Sequence, residues 1–150
     1  MIFLSPLVWL VAAGTSFTCT PTAVWDGDGP ILCAEGPKIR LHGIAAREVK
    51  RVAGQIVDGG CSRGHPCPNV SGVVARDKLV ALLGGAKGAL RTGHVRVRSR
   101  ILSCISYGSA KGGRTDASCS GPRTGDLSCA MVRSGTALRW RAYGGDAVCR

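Results

Sequence analysis

The pattern of hydrophobic and polar positions predicts a meander of three short strands in the first third of the chain. Residues Phe17 to Val24 alternate β-branched and polar side chains, and Asp26-Gly27-Asp28-Gly29-Pro30 is a strong turn signal. Ile31 to Ala34 and Lys38 to Ile44 have the composition of two further extended segments, separated by Glu35-Gly36-Pro37. We therefore expect the three strands to be joined by two tight turns.

The rest of the chain predicts a long loop and then two helices that flank two strands. The stretch Val52 to Val70 is rich in Gly, Pro, Asn and Ser, which is typical of a loop. Ser71 is expected to cap a helix that ends at Leu83, because apolar residues recur there at helical spacing. His94 to Ser106 has the period of two of a half-buried strand, and a further strand is expected near Thr115 to Ser120. A second helix is expected from Asp126 through Ala137.

This order of strands and helices indicates the fold class. Three strands, a helix, two strands and a helix suit a small Greek-key β-barrel with flanking helices, which is an α+β arrangement. The pattern therefore predicts a five-stranded barrel of the oligonucleotide-binding (OB) type. No internal repeat is evident along the chain.

The first residues predict export of the protein. Residues Ile2 to Gly14 are apolar and uncharged, and small residues follow up to Ser16. This run is shorter than the roughly 20 residues that span a bilayer as a helix, which favours a cleaved signal over an anchor. We expect a signal peptide at residues 1–16 and a single folded domain at 17–150. A retained anchor and a buried segment are the alternatives.

The cysteines predict disulfides. Their number is even and all of them follow the predicted signal, so that in an exported protein they are expected to be oxidised. Proximity in sequence favours the pairs Cys19–Cys33, Cys61–Cys67, Cys104–Cys119 and Cys129–Cys149. The alternative is a zinc site built from Cys61, His65 and Cys67, although this spacing matches no common zinc module.

Composition and charge indicate the kind of partner. The chain has 150 residues and a formal net charge of +11, and 45% of its residues are hydrophobic against 19% charged. This balance supports one domain with a buried core and excludes a disordered basic tail. Most of the basic residues are arginines, whose planar guanidinium groups bind phosphate and carboxylate oxygens bidentately. We therefore expect a polyanionic partner.

Five segments carry a resemblance to a known family. They are residues 24–29 (VWDGDG), 39–48 (IRLHGIAARE), 75–79 (ARDKL), 113–115 (GRT) and the stretch from Asp126 to Gly135. In this order and spacing they resemble the staphylococcal-nuclease (thermonuclease) family. The resemblance implies a five-stranded OB barrel that hydrolyses phosphodiester bonds in DNA and RNA, with calcium, two arginines and a glutamate at its active site.

The resemblance also implies the catalytic residues. Arg40 and Glu48 stand at the positions of the first arginine and the glutamate. Arg114 stands at the position of the second arginine, although Gly112 replaces the tyrosine that the family usually has before its Gly-Arg pair. A competing alignment through Tyr107 keeps the tyrosine and loses the arginine. In this chemistry the two guanidinium groups hold the phosphate oxygens, and the carboxylate acts as a general base on the attacking water.

The implied metal site is incomplete in this sequence. Asp28 stands at the position of one metal carboxylate, and the backbone carbonyl of Ala46 at that of a further oxygen ligand. Ala45 occupies the position where the family has its second metal aspartate. Calcium takes six to eight oxygen ligands, so this loss is expected to weaken the site or to replace a carboxylate by water. The expected cofactor is Ca²⁺ or another divalent cation.

Further residues are expected to contact DNA or RNA without base specificity. Arg96 and Arg98 lie on one side of a predicted strand, and Lys111 lies beside the second predicted catalytic arginine, where such cations would follow a phosphate backbone. Tyr107, Trp140 and Tyr143 are the candidate platforms for stacking bases, with Tyr107 preferred. No protein partner is indicated, and after signal cleavage we expect a monomer with no membrane span.

Three functions remain open from the sequence. The first is an exported, metal-assisted nuclease, a hydrolase with little sequence preference. The second is a catalytically impaired OB module that binds nucleic acid or another polyanion. The third is an envelope protein whose charge adheres to acidic polymers. In the last two cases the Asp-Gly-Asp-Gly run is only a turn, and Glu48 pairs with Arg47 or Arg51.

Overall fold

The protein has a mixed α+β fold that is mostly β-sheet. In the computed structural model, residues 9–98 and 100–150 are described, and residues 1–8 of the predicted signal lie outside them. The segment that follows them contacts the sheet, since the Val11 amide donates to Thr115 Oγ1 at 3.3 Å and the Gly14 amide to the Ser106 carbonyl at 2.8 Å. No helix in the described ranges is long and apolar enough to cross a membrane.

The described residues form thirteen strands and two α-helices, followed by two short 3₁₀ turns at Arg141–Tyr143 and Gly145–Ala147. The strands are β1 (Ser16–Cys19), β2 (Pro21–Asp26), β3 (Gly29–Cys33), β4 (Lys38–Leu41), β5 (Ile44–Ala45), β6 (Glu48–Val52), β7 (Gln55–Gly60), β8 (Ala86–Ala89), β9 (Val95–Val97), β10 (Leu102–Ala110), β11 (Arg114–Gly121), β12 (Gly125–Asp126) and β13 (Leu138–Arg139). The helices are α1 (Gly72–Leu82) and α2 (Leu127–Arg133).

Nine strands form one sheet. Eight of them follow the order β1-β10-β11-β4-β3-β2-β9-β8, and β12 pairs with β11 beside this path. The β4–β11 pair is parallel, whereas the other pairs of this sheet are antiparallel. Two small two-stranded sheets, β5 with β13 and β6 with β7, lie beside it. Within the described part of the chain, these pairings do not close a barrel.

The core lies between the sheet and the helices. Central strands bury Ile31, Ile39 and Leu41, and the helices bury Leu79 of α1 and Met131 of α2 against them. These side chains are fully buried, and burial of an aliphatic side chain of this size contributes about 1.5–3 kcal/mol. Packing of these side chains therefore fixes the positions of the central strands relative to the two helices.

Both predicted helix starts are confirmed. Ser71 Oγ accepts a hydrogen bond from the Val74 amide at 3.3 Å, and Asp126 Oδ1 accepts one from the Cys129 amide at 2.8 Å. Each cap satisfies a backbone donor that the first helical turn leaves free. The second helix is shorter than predicted and does not reach Ala137. It ends at Arg133, because Gly135 adopts φ +76°, a left-handed conformation that ends helices.

Two predictions for the middle of the chain are wrong. The first half of the predicted loop from Val52 to Val70 is the second strand of a hairpin, since β6 and β7 pair through a two-residue turn at Ala53 and Gly54. Both turn residues have positive φ, +49° and +78°, as in the two-residue hairpin turns whose backbone twist matches that of the flanking strands. The strand predicted at His94 to Ser106 is divided into β9, which pairs with β2 and β8, and β10, which pairs with β1 and β11.

The four disulfides are the predicted pairs, Cys19–Cys33, Cys61–Cys67, Cys104–Cys119 and Cys129–Cys149. Since Cys61 and Cys67 are bonded to each other, the alternative of a zinc site at these residues is wrong. The disulfides are consistent with the oxidising surroundings of an exported protein. The Cys61–Cys67 bond closes a loop directly after β7.

Asp58 of β7 forms an ion pair with Arg47, which precedes β6, and accepts a hydrogen bond from the first residue of α1. Arg47 Nη2 lies 2.8 Å from Asp58 Oδ2, and Asp58 Oδ1 accepts from the Gly72 amide at 2.8 Å. The Arg47 guanidinium, with help from the Gly72 amide, holds the pKa of Asp58 below its usual range. A carboxyl group with a lowered pKa in the folded state stabilises the protein above the unfolded pKa, and this contribution is lost as the pH falls through the folded value.

We therefore expect Asp58→Asn to lower the free energy of unfolding at neutral pH. The deficit relative to the wild type is expected to shrink as the pH falls below about 4, the ordinary pKa of aspartate. Urea unfolding from neutral pH to about pH 2 measures this. Asp146→Asn is the control, because its pair with Arg141 is long (3.7 Å) and exposed. A deficit that stays constant with pH would contradict the contribution of a lowered Asp58 pKa to stability.

Candidate functional site

A cleft of about 680 Å³ lies where the Cys61–Cys67 loop, the β10–β11 turn and the segment after β13 meet. It is lined by Arg40, Glu48, Ser62, Arg63, His65, Ser109, Ala110, Lys111, Arg114, Trp140 and Tyr143. All three residues predicted as catalytic, Arg40, Glu48 and Arg114, line this cleft, as does Lys111. Four lining side chains are cationic and one is anionic, so the cleft suits an anionic ligand.

Strand pairing brings the two predicted catalytic arginines together. Arg40 lies in β4 and is the register partner of Asp116 in the parallel strand β11. Arg114 begins β11, two residues before Asp116. Because parallel pairing fixes this register through the backbone, both arginines are held at the same end of the sheet. Their relative position therefore depends on the core strands rather than on a loop.

The Arg40 side chain is largely buried and held by four groups. Its Nη1 donates to the Leu41 carbonyl at 2.8 Å and its Nη2 to the Ile44 carbonyl at 2.9 Å. Nη2 also lies 3.7 Å from Asp28 Oδ2, and the guanidinium carbon lies 5.3 Å from the centre of the Trp140 ring. The guanidinium is thereby fixed in orientation at the floor of the cleft.

Glu48 and Arg114 are more accessible than Arg40. Glu48 is exposed at the start of β6, and its Oε1 accepts a hydrogen bond from the Ser62 hydroxyl. Arg114 is half-buried, and its Nε donates to the Lys111 carbonyl at 2.7 Å within the β10–β11 turn. This bond orients the Arg114 side chain and leaves the terminal nitrogens of its guanidinium for a ligand.

Aromatic rings form one wall of the cleft. The centre of the Trp140 ring lies 4.2 Å from that of His65 and 4.5 Å from that of Tyr143, the latter in an edge-on arrangement. Trp140 and Tyr143 were predicted stacking candidates, whereas His65 was predicted only as a ligand of the alternative zinc site. The contact of His65 with Trp140 joins the Cys61–Cys67 loop to the segment after β13, and no spacing along the chain reveals it.

Three residues predicted to contact nucleic acid lie outside this cleft. Tyr107 stacks on His42 with ring centres 3.6 Å apart, and both line a separate cavity. Arg96 is exposed on β9, and Arg98 lines a depression with Arg100, Ile101, Pro122 and Arg123. Tyr107 is therefore not part of this cleft, and its contact with nucleic acid remains a prediction for a separate surface.

The residues around Asp28 do not fit a resident calcium ion. Asp28 Oδ2 accepts from the Ala46 amide at 3.1 Å and lies beside the Arg40 guanidinium. Burial, reinforced by the Asp28 carboxylate, raises the pKa of Asp26 well above its usual range. Ala45 adds no oxygen from its side chain. In the described residues, no three acidic, histidine or cysteine side chains form a metal-binding group, whereas calcium takes six to eight oxygens.

No family model, curated protein or solved structure matches the chain. The side chains of the cleft are therefore the basis for a functional assignment. They combine two arginines, a lysine, an accessible carboxylate and stacked aromatic rings.

Proposed function

We propose that the protein is an exported nuclease, a hydrolase that cleaves phosphodiester bonds in DNA and/or RNA with little sequence specificity. The observation that carries this proposal is that Arg40, Glu48 and Arg114, from three separate segments, line one cleft. The resemblance to the staphylococcal-nuclease family assigns catalytic roles to these same three residues. The four disulfides and the apolar start of the sequence support export.

The chemistry follows from the charges in the cleft. Hydrolysis of a phosphodiester places developing negative charge on the phosphoryl oxygens, and fixed guanidinium groups stabilise that charge without reorganising. Arg40 and Arg114 have this role in the proposal. Glu48 carries an accessible carboxylate, which accepts a proton from the attacking water as the water oxygen bonds to phosphorus. The P–O bond to the leaving oxygen breaks, and solvent water protonates that oxygen. Trp140 and Tyr143 offer faces on which any base can stack, which favours low sequence specificity.

The strand order supports the finer assignment of an OB-type fold. The path β2-β3-β4-β11-β10 contains five consecutive neighbours, with a meander of three strands and one parallel pair. The OB fold is a five-stranded, partly open Greek-key barrel, so an open sheet path is compatible with it. We accordingly propose an OB-fold domain related to staphylococcal nuclease, acting as a monomer.

Binding without cleavage is the second candidate function. The observation that favours it is the environment of Asp28, where Ala45 replaces a carboxylate and the Arg40 guanidinium faces Asp28 Oδ2. Because the nitrogens of Arg40 already donate to two carbonyls, its guanidinium is less free to adjust to a phosphate whose geometry changes during the reaction. In this case the cleft retains affinity for a polyanion through Lys111, Arg114 and the aromatic wall.

Release of acid-soluble nucleotides distinguishes the two functions. The oxidised full-length chain is incubated with single-stranded DNA, double-stranded DNA or RNA, in separate reactions with Ca²⁺, Mg²⁺, Mn²⁺ or a chelator. We expect release from the wild type and a loss of about 10²–10³-fold in kcat for Arg114→Ala, the range found when one group that stabilises an oxyanion is removed. Salt-sensitive DNA binding with no release in any reaction would contradict the nuclease and support the binding module.

Arg123→Ala is the matched control for Arg114→Ala. Arg114 begins β11 at the cleft, whereas Arg123 follows the opposite end of the same strand. Eight residues of extended chain separate these ends by roughly 23 Å at about 3.3 Å per residue. The two substitutions remove the same charge, so an equal loss of activity in both would show that net charge, and not the cleft, determines the rate.

A further inference from the structure

The loop closed by the Cys61–Cys67 disulfide, residues 61–67, contacts the cleft at two points and is here called the clasp loop. The Ser62 hydroxyl donates to Glu48 Oε1, and the His65 ring packs against Trp140. The loop also has an internal hydrogen bond, from the His65 amide to the Ser62 carbonyl at 3.1 Å. Both contacts are therefore made by one small, covalently closed unit.

Arg47 ties the end of the clasp loop to the strand that carries Glu48. Its Nη1 lies 3.4 Å from Cys67 Sγ and 3.5 Å from the Pro68 carbonyl, while its other nitrogens are held by Asp58. Because Arg47 precedes Glu48 in the chain, consecutive residues contact the two ends of the same loop. This arrangement restricts the loop from both sides.

Glu48 is exposed at the start of its strand, so its side chain would adopt many rotamers if nothing held it, and fixing it has an entropic cost. The Ser62 hydroxyl fixes one carboxylate oxygen and leaves Glu48 Oε2 for the attacking water. We propose that Ser62 is a positioning residue for Glu48, and that the Cys61–Cys67 disulfide holds Ser62 in place. This inference rests on the proposed nuclease function and extends it to a residue outside the catalytic set.

The test compares Ser62→Ala with Ser62→Thr in steady-state cleavage of single-stranded DNA. We expect Ser62→Ala to lower kcat about tenfold with little change in KM, because a misplaced general base affects the reaction and not substrate binding. Ser62→Thr keeps the hydroxyl and is expected to restore kcat. The control is Ser103→Ala, since Ser103 is an exposed serine of β10 that does not line the cleft.

The role of the disulfide is tested by Cys61→Ala/Cys67→Ala, alone and combined with Ser62→Ala. If the disulfide acts through Ser62, the triple variant is expected to have the same kcat as the double variant, since residues that act as one unit are not additive. If kcat of the triple variant falls by the product of the factors for the double variant and for Ser62→Ala, this part of the proposal is overturned. If the double variant does not fold, the comparison of Ser62→Ala with Ser62→Thr still decides the role of Ser62.

A readout independent of catalysis separates this inference from the proposed function. The ¹³C resonance of the Glu48 carboxyl, assigned with Glu48→Gln, is recorded at neutral pH in the wild type and in Ser62→Ala. We expect it to move when the hydroxyl is removed and to return in Ser62→Thr. An unmoved resonance overturns the Ser62–Glu48 contact, and an unchanged kcat overturns the positioning role. Absence of cleavage by the wild type overturns the function itself, and with it the positioning role.

Discussion

Replacing Glu48 with glutamine is expected to lower kcat for phosphodiester cleavage by about 10²–10⁴-fold, the range that general acid–base catalysis contributes. Glutamine has nearly the same size, and its carbonyl oxygen can still accept the hydrogen bond from the Ser62 hydroxyl. It cannot accept a proton from the attacking water. Because the arginines and the aromatic wall remain, KM is expected to stay within about threefold of the wild-type value, as for a residue that acts only in the transition state.

Steady-state kinetics on single-stranded DNA measure this effect, with Glu35→Gln as the matched control. Glu35 is also an exposed carboxylate held by a hydroxyl, since its Oε2 accepts from Thr20 Oγ1 at 2.7 Å, but it does not line the cleft. Full activity of Glu48→Gln would contradict the general-base role. Unchanged binding of acidic polymer by both variants, with no cleavage by the wild type, would favour adhesion through charge alone.

Replacing Arg40 with alanine is expected to abolish cleavage and also to reduce the free energy of unfolding by about 3 kcal/mol, the lower end of the cost of breaking a buried ion pair. The side chains of Arg40 and Asp28 are only 11% and 12% exposed. Removal of the guanidinium leaves the Asp28 carboxylate without its counter-charge and leaves the carbonyls of Leu41 and Ile44 without their donors. The lower end of the range applies because the Arg40–Asp28 separation is long, at 3.7 Å.

Urea unfolding of the oxidised protein measures this stability change. Arg114→Ala is the control, since surface substitutions usually change stability by less than about 0.5 kcal/mol, whereas we expect its activity to fall. Adding Asp28→Asn to Arg40→Ala is expected to recover part of the stability, because the unpaired charge is then removed. An Arg40→Ala protein as stable as the wild type would show that Asp28 and the two carbonyls do not depend on the guanidinium.

Features set by short-range chemistry were predictable from the sequence. The disulfide pairs follow from proximity along the chain, and the helix starts at Ser71 and Asp126 follow from side chains that cap their own backbone. The resemblance placed Arg40, Glu48 and Arg114 in one site, and these residues do line one cleft. Each of these features depends on a local interaction or on a motif that retains its order and spacing.

Features set by tertiary contacts were not predictable in the same way. The β6–β7 hairpin was missed because Ala53 is an unusual residue for a positive φ, and the Gly- and Ser-rich composition that follows favoured a loop. The pairing of Tyr107 with His42 joins strand β10 to the segment between β4 and β5, which no spacing along the chain reveals. The buried face of α1 includes Arg76, whereas Val74 is exposed, so hydrophobicity alone does not define this face.

The open sheet has a consequence for the behaviour of the protein in concentrated solution. In the described residues, β8 lies at one end of the strand order, so one of its backbone edges faces away from the sheet. A free edge of this kind is a template on which a strand of another molecule can add. Here the strand is only four residues long and exposed throughout, with the charge of Lys87 and the left-handed backbone of Gly88 at its centre. These features disfavour edge-to-edge aggregation of the protein.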